Sequence, residues 1–461
     1  MIQPPHLIRN LALRSVLQAW LVIVIAVFLA TAPASAEVKI QEVKSEKGIT
    51  AWLVEDYTNP IITIQFSFLG GSTQDPDGKE GLATLMSGLF DEGAGDLDAE
   101  AFQSRLDDAG AEMRFGARLD TISGSMRLLA DERREAFDLL ALAVNSPRFD
   151  AEPIERIRSQ LISRLAASSR DPDEVAQRRW VEAIYPGHPY ARPDDGTEAS
   201  LATITADDLR KAHKDQFARS NLVVSVVGAI DAESLKAELD RIFGDLPENP
   251  ALKPVAKVDP KLGQQIDVEY DLPQTSIRLA YPGVPRDDPQ SIAAYLMNHI
   301  LGGGAFTSRL YTEVREKRGL AYNISSALMN HRNSSALVIG TATRPDRAGE
   351  TLALIREVAK RLAEEGPTEQ ELADAKKYVL GAYAINNLDS SGAIAGTLQQ
   401  TQIFDMGIDY IQRREQLIND VTLDDVKAVA RRLLTADPAV MIVGPPIAQQ
   451  TTPPAATEKQ G

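Results

Sequence analysis

Apolar and polar positions divide this chain into short strands and amphipathic helices. VKIQEVKSEKGITAWLVED (38–56) and PIITIQFSFLGG (60–71) are rich in β-branched and aromatic residues, with turn residues between them. That pattern predicts a hairpin followed by a central strand. Residues 99–110 and Glu132–Val144 place apolar residues every three or four positions and predict helices. The second half opens the same way. TSIRLAYPG (275–283) predicts a strand, and SIAAYLMNHILGG (291–303) and AGETLALIREVAKRLAEEG (348–366) predict helices. Strands and helices in blocks, not in strict alternation, predict an α+β fold with a sheet on one side and helices on the other.

The two halves share more than a general pattern. ITADDL (204–209) starts a helix that leads to NLVVSVVG (221–228), and VTLDDV (421–426) starts one that leads to PAVMIVG (438–444). Thr205 and Thr422 sit as N-caps with Asp208 and Asp425 at the third helical position. The two Thr are 217 residues apart, and the Gly that closes each strand, Gly228 and Gly444, are 216 apart. A repeated capping box and buried-type strand at one offset indicate two related domains. Between them Leu246–Pro260 is rich in Pro and polar residues and reads as a linker. The predicted layout is 37–245, a linker over 246–265, a second domain over 266–446 and a disordered tail over 447–461.

The first 36 residues stand apart. Arg9 and Arg14 precede an apolar run from Ala19 to Ala30, and Ala34-Ser35-Ala36 follows. This is the order of a cleaved secretory leader, and the run is shorter than the roughly 20 residues that span a bilayer. An exported, periplasmic chain with no membrane segment after cleavage is the expectation. The chain has 65 acidic against 49 basic residues, a net charge of −16, and the leader contains no acid. Such a surface disfavours nucleic acid and anionic lipid. Cysteine is absent, which rules out disulfides and thiolate metal sites.

Motif chemistry narrows the reading. No GxSxG, P-loop or EF-hand-type loop is present. Beyond the leader, His188, His213, His299 and His331 are the only histidines, and no two lie three to five residues apart. The stretch GKEGLATLMSGLFDEGAGDLDAEAF (78–102) resembles the start of zinc peptidases of the pitrilysin/insulinase family. There a helix after a Gly-rich turn carries His-x-x-Glu-His, two zinc ligands on one helical face beside the base that activates water. The matching positions here are Thr84, Ser87 and Gly88. A further Glu ligand of that family lies on a later helix, and its match within Pro147–Leu165 is Arg164. None of these side chains can bind zinc as the family does.

The second half retains what the first has lost. LGGGAFTSRLYTEVREKRGLAYNISS (301–326) permits a helix capped at Thr307 and running to about Arg318, a left-handed turn at Gly319, and a strand from Leu320. Arg315 and Tyr322 then flank one tight turn. The stretch resembles the same family's second domain, where an Arg and a Tyr at this spacing reach the zinc site across a clamshell. There they hold the substrate backbone and the oxyanion, and Arg315 and Tyr322 match them. A plain structural alternative pairs Arg315 with Glu313 or Glu316 and packs Tyr322 at a strand edge. Gly302, Gly303 and Gly304 fit either a close backbone approach to substrate or an ordinary helix end.

The resemblance implies two α/β-sandwich domains in a clamshell. It also implies a non-catalytic subunit that works with a zinc-bearing partner of the same family on peptide substrates, with no cofactor in this chain. A peptide-binding or scaffold protein without such a partner remains the alternative, with a relocated metal site behind it.

Overall fold

The computed structural model describes residues 38–446. The predicted leader and the predicted tail over 447–461 lie outside the described residues. The first half contains β1 (Gln41–Lys44), β2 (Thr50–Glu55), β3 (Ile61–Leu69), α1 (Leu82–Ser87), α2 (Ala99–Asp108), β4 (Glu112–Ala117) and β5 (Thr121–Leu129). It continues with α3 (Arg133–Asn145), α4 (Ala151–Ser168), α5 (Pro172–Ile184), α6 (Glu198–Thr203), α7 (Ala206–Gln216), β6 (Leu222–Gly228) and α8 (Ala232–Phe243). The second half holds β7 (Gln265–Glu269), β8 (Thr275–Pro282), α9 (Ser291–Asn298), β9 (Ala321–His331) and β10 (Ser334–Thr343). It ends with α10 (Ala348–Glu365), α11 (Glu369–Asn387), α12 (Ser391–Ile403), α13 (Tyr410–Asp420), α14 (Leu423–Leu434) and β11 (Ala439–Gly444).

The strands form two sheets, ordered β1-β2-β6-β3-β5-β4 and β7-β11-β8-β10-β9. Apart from the extra β1, they are the same sheet twice. β2–β6 and β7–β11 are the parallel pairs, and every other pairing is antiparallel. The repeat extends to atomic detail. Thr205 and Thr422 each accept from the backbone N–H of the Asp three residues on, and that Asp accepts from the Thr N–H. Gly228 and Gly444 each close the strand after the capped helix with φ of 141° and 148°. A Cβ on Gly228 would lie 2.1 Å from the Ile61 carbonyl oxygen, so the close approach of β6 to β3 requires glycine there.

Each sheet buries one face against its own helices. In the first half Phe66, Phe68, Phe217 and Phe243 form the centre, with Phe68–Phe217 and Phe66–Phe243 centroids at 4.1 and 5.2 Å. In the second, α10 and α14 cover β8 and β10 with Ile355, Val358, Val429 and Leu433. The other faces are partly covered by exchanged helices. α5 lays Trp180 and Ile184 on Ala280, Ala439 and Met441 of the second sheet. α12 lies on β3 and β6, where Gln402 Nε2 donates to Ser225 Oγ at 2.8 Å. The described residues from Ile40 onward belong to one compact unit.

The Pro-rich segment after α8 has neither helix nor strand before β7, yet it is tied down along its length. Ala251 N donates to Asp215 O, Lys253 N to Gln74 Oε1 and Val258 N to Asn333 O, at 2.7–2.8 Å. No helix among the described residues is long and apolar enough to cross a membrane.

Candidate functional site

α1 is short because glycine brackets it. Gly81 at its N-cap has φ 89°, and Gly88 ends it. Its N-terminus is capped from the preceding loop by buried Asp75, whose carboxylate accepts from Gly81 N at 3.0 Å and Ala83 N at 3.1 Å. Burial outweighs those bonds and the nearby Arg192 charge, raising the Asp75 pKa to about 7.

Of the three positions singled out at α1 in the sequence, Thr84 and Ser87 form a small polar strip and Gly88 ends the helix. Thr84 Oγ1 donates to the Asp194 carbonyl at 2.8 Å, and Ser87 Oγ donates back to the Thr84 carbonyl at 2.8 Å. Gly88 packs on α4, where a Cβ would stand 3.1 Å from Ile157 Cγ2. A side chain at 88 would need the Ile157 side chain to give way. Arg164 lies about two turns further along α4 than Ile157 and is exposed. It joins no hydrogen bond or ion pair among the described residues. No three His, Cys, Asp or Glu side chains are grouped to share a metal ion among the described residues.

The histidines are dispersed. His188 Nε2 lies 2.9 Å from Ala256 O, and His213 Nε2 lies 2.8 Å from Val144 O among Phe90, Phe149 and Phe217. His299 packs on Tyr378 and His331 on Tyr190. Burial lowers the pKa of His213, His299 and His331.

The second half builds a different geometry. After the α-helical part of the predicted run starting at Ser291, the helix widens over His299–Gly303. Glycines there permit close contacts. A Cβ on Gly302 would meet Ser326 Oγ at 2.7 Å, one on Gly303 would meet Asn298 Nδ2 at 2.7 Å, and one on Gly304 would meet His299 O at 2.8 Å. The three glycines thus serve close packing against β9 and the end of α9. Gly303 is exposed and leaves its backbone accessible.

The predicted cap at Thr307 is not used. Its hydroxyl donates to the Gly304 carbonyl at 3.1 Å, because residues 305–307 form a separate tight turn and the helix begins after them. That helix is widened over Tyr311–Glu316 and stops where Gly319 takes φ 59°. Gly319 N donates to Arg315 O and Leu320 N to Val314 O, both at 2.9 Å, and β9 follows.

Arg315 and Tyr322 are brought together across this turn. The guanidinium carbon of Arg315 lies 4.6 Å from the Tyr322 ring centre and 4.8 Å from that of Tyr311. Its NH1 also donates to the Tyr311 hydroxyl. Tyr311 was missed in the sequence, although its position one helical turn before Arg315 is the signal that could have found it. The alternative pairing of Arg315 with Glu313 fails. Glu313 takes Lys317 at 3.0 Å, Arg318 at 2.8 Å and Arg361 at 3.4 Å, and its pKa is lowered by them. Arg315 has no carboxylate at ion-pair distance among the described residues. Tyr322 is 81% exposed. With Asn323, Ser325, Thr341 and Arg278 it lines a cleft of about 650 Å³ bordered by α5. A free guanidinium edge beside an exposed phenol presents donors suited to a peptide carbonyl or an oxyanion.

Residues 51–198 match the family model described as insulinase, peptidase family M16. Residues 203–379 match that of the peptidase M16 inactive domain. The chain is 25% identical over 389 residues to an uncharacterized zinc protease of Streptomyces coelicolor, covering 81% of this chain and 83% of that one. It is 26% identical over 339 residues to a protein of Helicobacter pylori named a non-peptidase homolog, covering 72% and 77%. A crystal structure of a peptidase M16 inactive domain from Pseudomonas fluorescens superposes with a TM-score of 0.82 at 30% identity, over 89% of this chain and all of that one. The chain therefore belongs to the insulinase family of M16 peptidases.

Proposed function

We propose that this chain is the zinc-free, substrate-holding subunit of a heteromeric M16 metallopeptidase, exported to the periplasm. A partner of the same family with His-x-x-Glu-His supplies the zinc, and this chain supplies Arg315 and Tyr322 to the partner's site. One observation carries the reading. The first-half positions hold no zinc donors, while Arg315 is free of carboxylates, held between two aromatic rings and placed beside an exposed Tyr322 at a cleft. The α1 strip is inert as a ligand set. Thr84 and Ser87 satisfy backbone carbonyls, and α4 occupies the space beside Gly88. In the complex the partner's zinc would polarise the peptide carbonyl and activate water. Arg315 would hold the substrate backbone, and the Tyr322 hydroxyl would donate to the oxyanion.

The test is reconstitution with the His-x-x-Glu-His chain and turnover of a quenched peptide. The isolated chain should not cleave, and the complex should. Arg315→Ala and Tyr322→Phe should each lower turnover about 100- to 1,000-fold with assembly intact on gel filtration. Arg318→Ala, whose side chain is committed to Glu313, should leave turnover near normal. Chelator-sensitive cleavage by the single chain would overturn the proposal. Failure of any such partner to restore cleavage would turn the reading to a peptide-holding scaffold. Elemental analysis of the isolated chain should find far less than one zinc per chain, and stoichiometric, tightly held zinc would count against the assignment.

A further inference from the structure

The helical side of the second half contains a cavity of about 710 Å³ between α9, α11, α12, α13 and the distal end of β9. It is separate from the Arg315–Tyr322 site. Tyr322, Asn323 and Ser325 line the cleft described above, whereas Ser326, Leu328 and Asn330 of the same strand line this cavity.

Its charge is anomalous for this chain. Acidic residues outnumber basic ones 65 to 49, yet the only charged side chains among the described lining residues are Arg286 and Arg414. Arg286 is exposed at the rim and stacks on Phe404 at 5.3 Å. Arg414 is only 6% exposed and has no carboxylate at ion-pair distance among the described residues. Its guanidinium lies 3.9 Å from the Tyr383 ring centre and 5.8 Å from that of Tyr295, and NH1 donates to Val379 O at 3.3 Å. The rings fix the plane of the guanidinium, and one backbone oxygen uses little of its donor capacity. Beside it the Tyr383 hydroxyl is buried without a hydrogen-bond partner among the described residues. Burial raises its pKa to about 12, so it remains a proton donor at neutral pH.

A buried cation without a counter-ion and a buried donor without an acceptor are each unfavourable, and one anion between them relieves both. The remaining lining selects the kind of anion. Asn330, Asn386 and Gln400 offer paired donors and acceptors of the sort that backbone amides satisfy, next to aromatic and aliphatic surface. A lone phosphate or acetate would leave most of the volume unfilled, whereas a few residues of peptide suit it. We propose that this cavity binds the carboxylate end of a peptide, with Arg414 and Tyr383 donating to the carboxylate and Arg286 guarding the entrance.

The experiment is calorimetric titration of the isolated full chain with N-acetyl-tetraalanine bearing a free carboxyl, and with its C-terminal amide. The acid should bind and the amide should bind at least ten-fold more weakly. Hydrogen bonds to charged groups contribute about 1.5–3 kcal/mol, so Tyr383→Phe should weaken the acid about ten-fold or more. Arg414→Gln should weaken it further, and Arg286→Gln, at the exposed rim, should weaken it less. Should Arg414→Gln fail to fold, Tyr383→Phe and Arg286→Gln still decide the matter. Arg315→Ala should bind the acid as the parent chain does, which separates this site from the proposed catalytic contribution. Equal binding of acid and amide, no binding of the acid, or unchanged affinity in Tyr383→Phe would each overturn the assignment. Inorganic phosphate or acetate binding as tightly as the peptide would overturn its peptide specificity.

Discussion

At the scale of single residues, glycine and arginine decide most of what is distinctive. Gly228 and Gly319 both have positive φ, but their surroundings differ. A Cβ at 228 collides with the Ile61 carbonyl, whereas one at 319 meets open space. Gly319→Ala should therefore cost only the left-handed strain, about 1–2 kcal/mol. Gly228→Ala should cost clearly more, because β6 must also move from β3. Urea denaturation of the two variants checks the order, and equal losses would refute it. Arg315 shows how position outweighs charge. Its plane is set by Tyr311 and Tyr322, so Arg315→Lys should fail to restore turnover in the reconstituted complex even though the charge is kept.

At the scale of elements, helix ends carry the local information. The Thr205 and Thr422 boxes were legible because a cap needs only two residues at fixed spacing. The α1 cap was not, since Asp75 reaches it from a loop six residues before Gly81. The Thr307 cap failed for a related reason. The chain makes a separate tight turn over 305–307, which ties the Thr307 hydroxyl to the Gly304 carbonyl and puts the helix start beyond it. Asp75 makes a pH prediction. The folded carboxyl keeps its proton to about pH 7, against 3.8 in the reference state. Between those values the folded state binds more protons, so this group's contribution to stability falls as pH rises from about 4 to 7 and is level above. Asp75→Asn removes that dependence. Relative to the parent, its stability should be more favourable at pH 8 than at pH 5 in denaturant titrations. A pH-independent difference would show that Asp75 is ionised throughout.

At the scale of the molecule, two similar halves are joined by exchange. α5 crosses onto the second sheet and α12 onto the first, and the Tyr190 hydroxyl donates to Asp120 at 2.8 Å while accepting from Asn333 N at 3.0 Å. Trp180 is the largest apolar side chain that α5 contributes to the second sheet. Trp180→Ala should cost about 3–5 kcal/mol. It should also allow the halves to unfold separately, giving two transitions in calorimetry where the parent gives one. A single transition with little loss would mean that α5 is not what couples them.

The sequence alone determined the two related α/β units, the strands β1–β3, β6, β8, β9 and β11 of their sheets, the repeated capped helices and the family frame. These rest on periodicity, capping and short-range turn chemistry, which act over a few residues. It also gives the residue types at 84, 87, 88 and 164 as Thr, Ser, Gly and Arg, none of which is a His or carboxylate donor. Only the tertiary structure decided that Arg315 stacks between Tyr311 and Tyr322 and does not pair with Glu313. Only it placed Ile157 beside Gly88, and gathered Arg414 and Tyr383 into one cavity. Those are contacts between side chains that several carboxylates, rings or helices compete for. The competition is settled by packing between elements far apart in the chain, and no local spacing encodes its outcome.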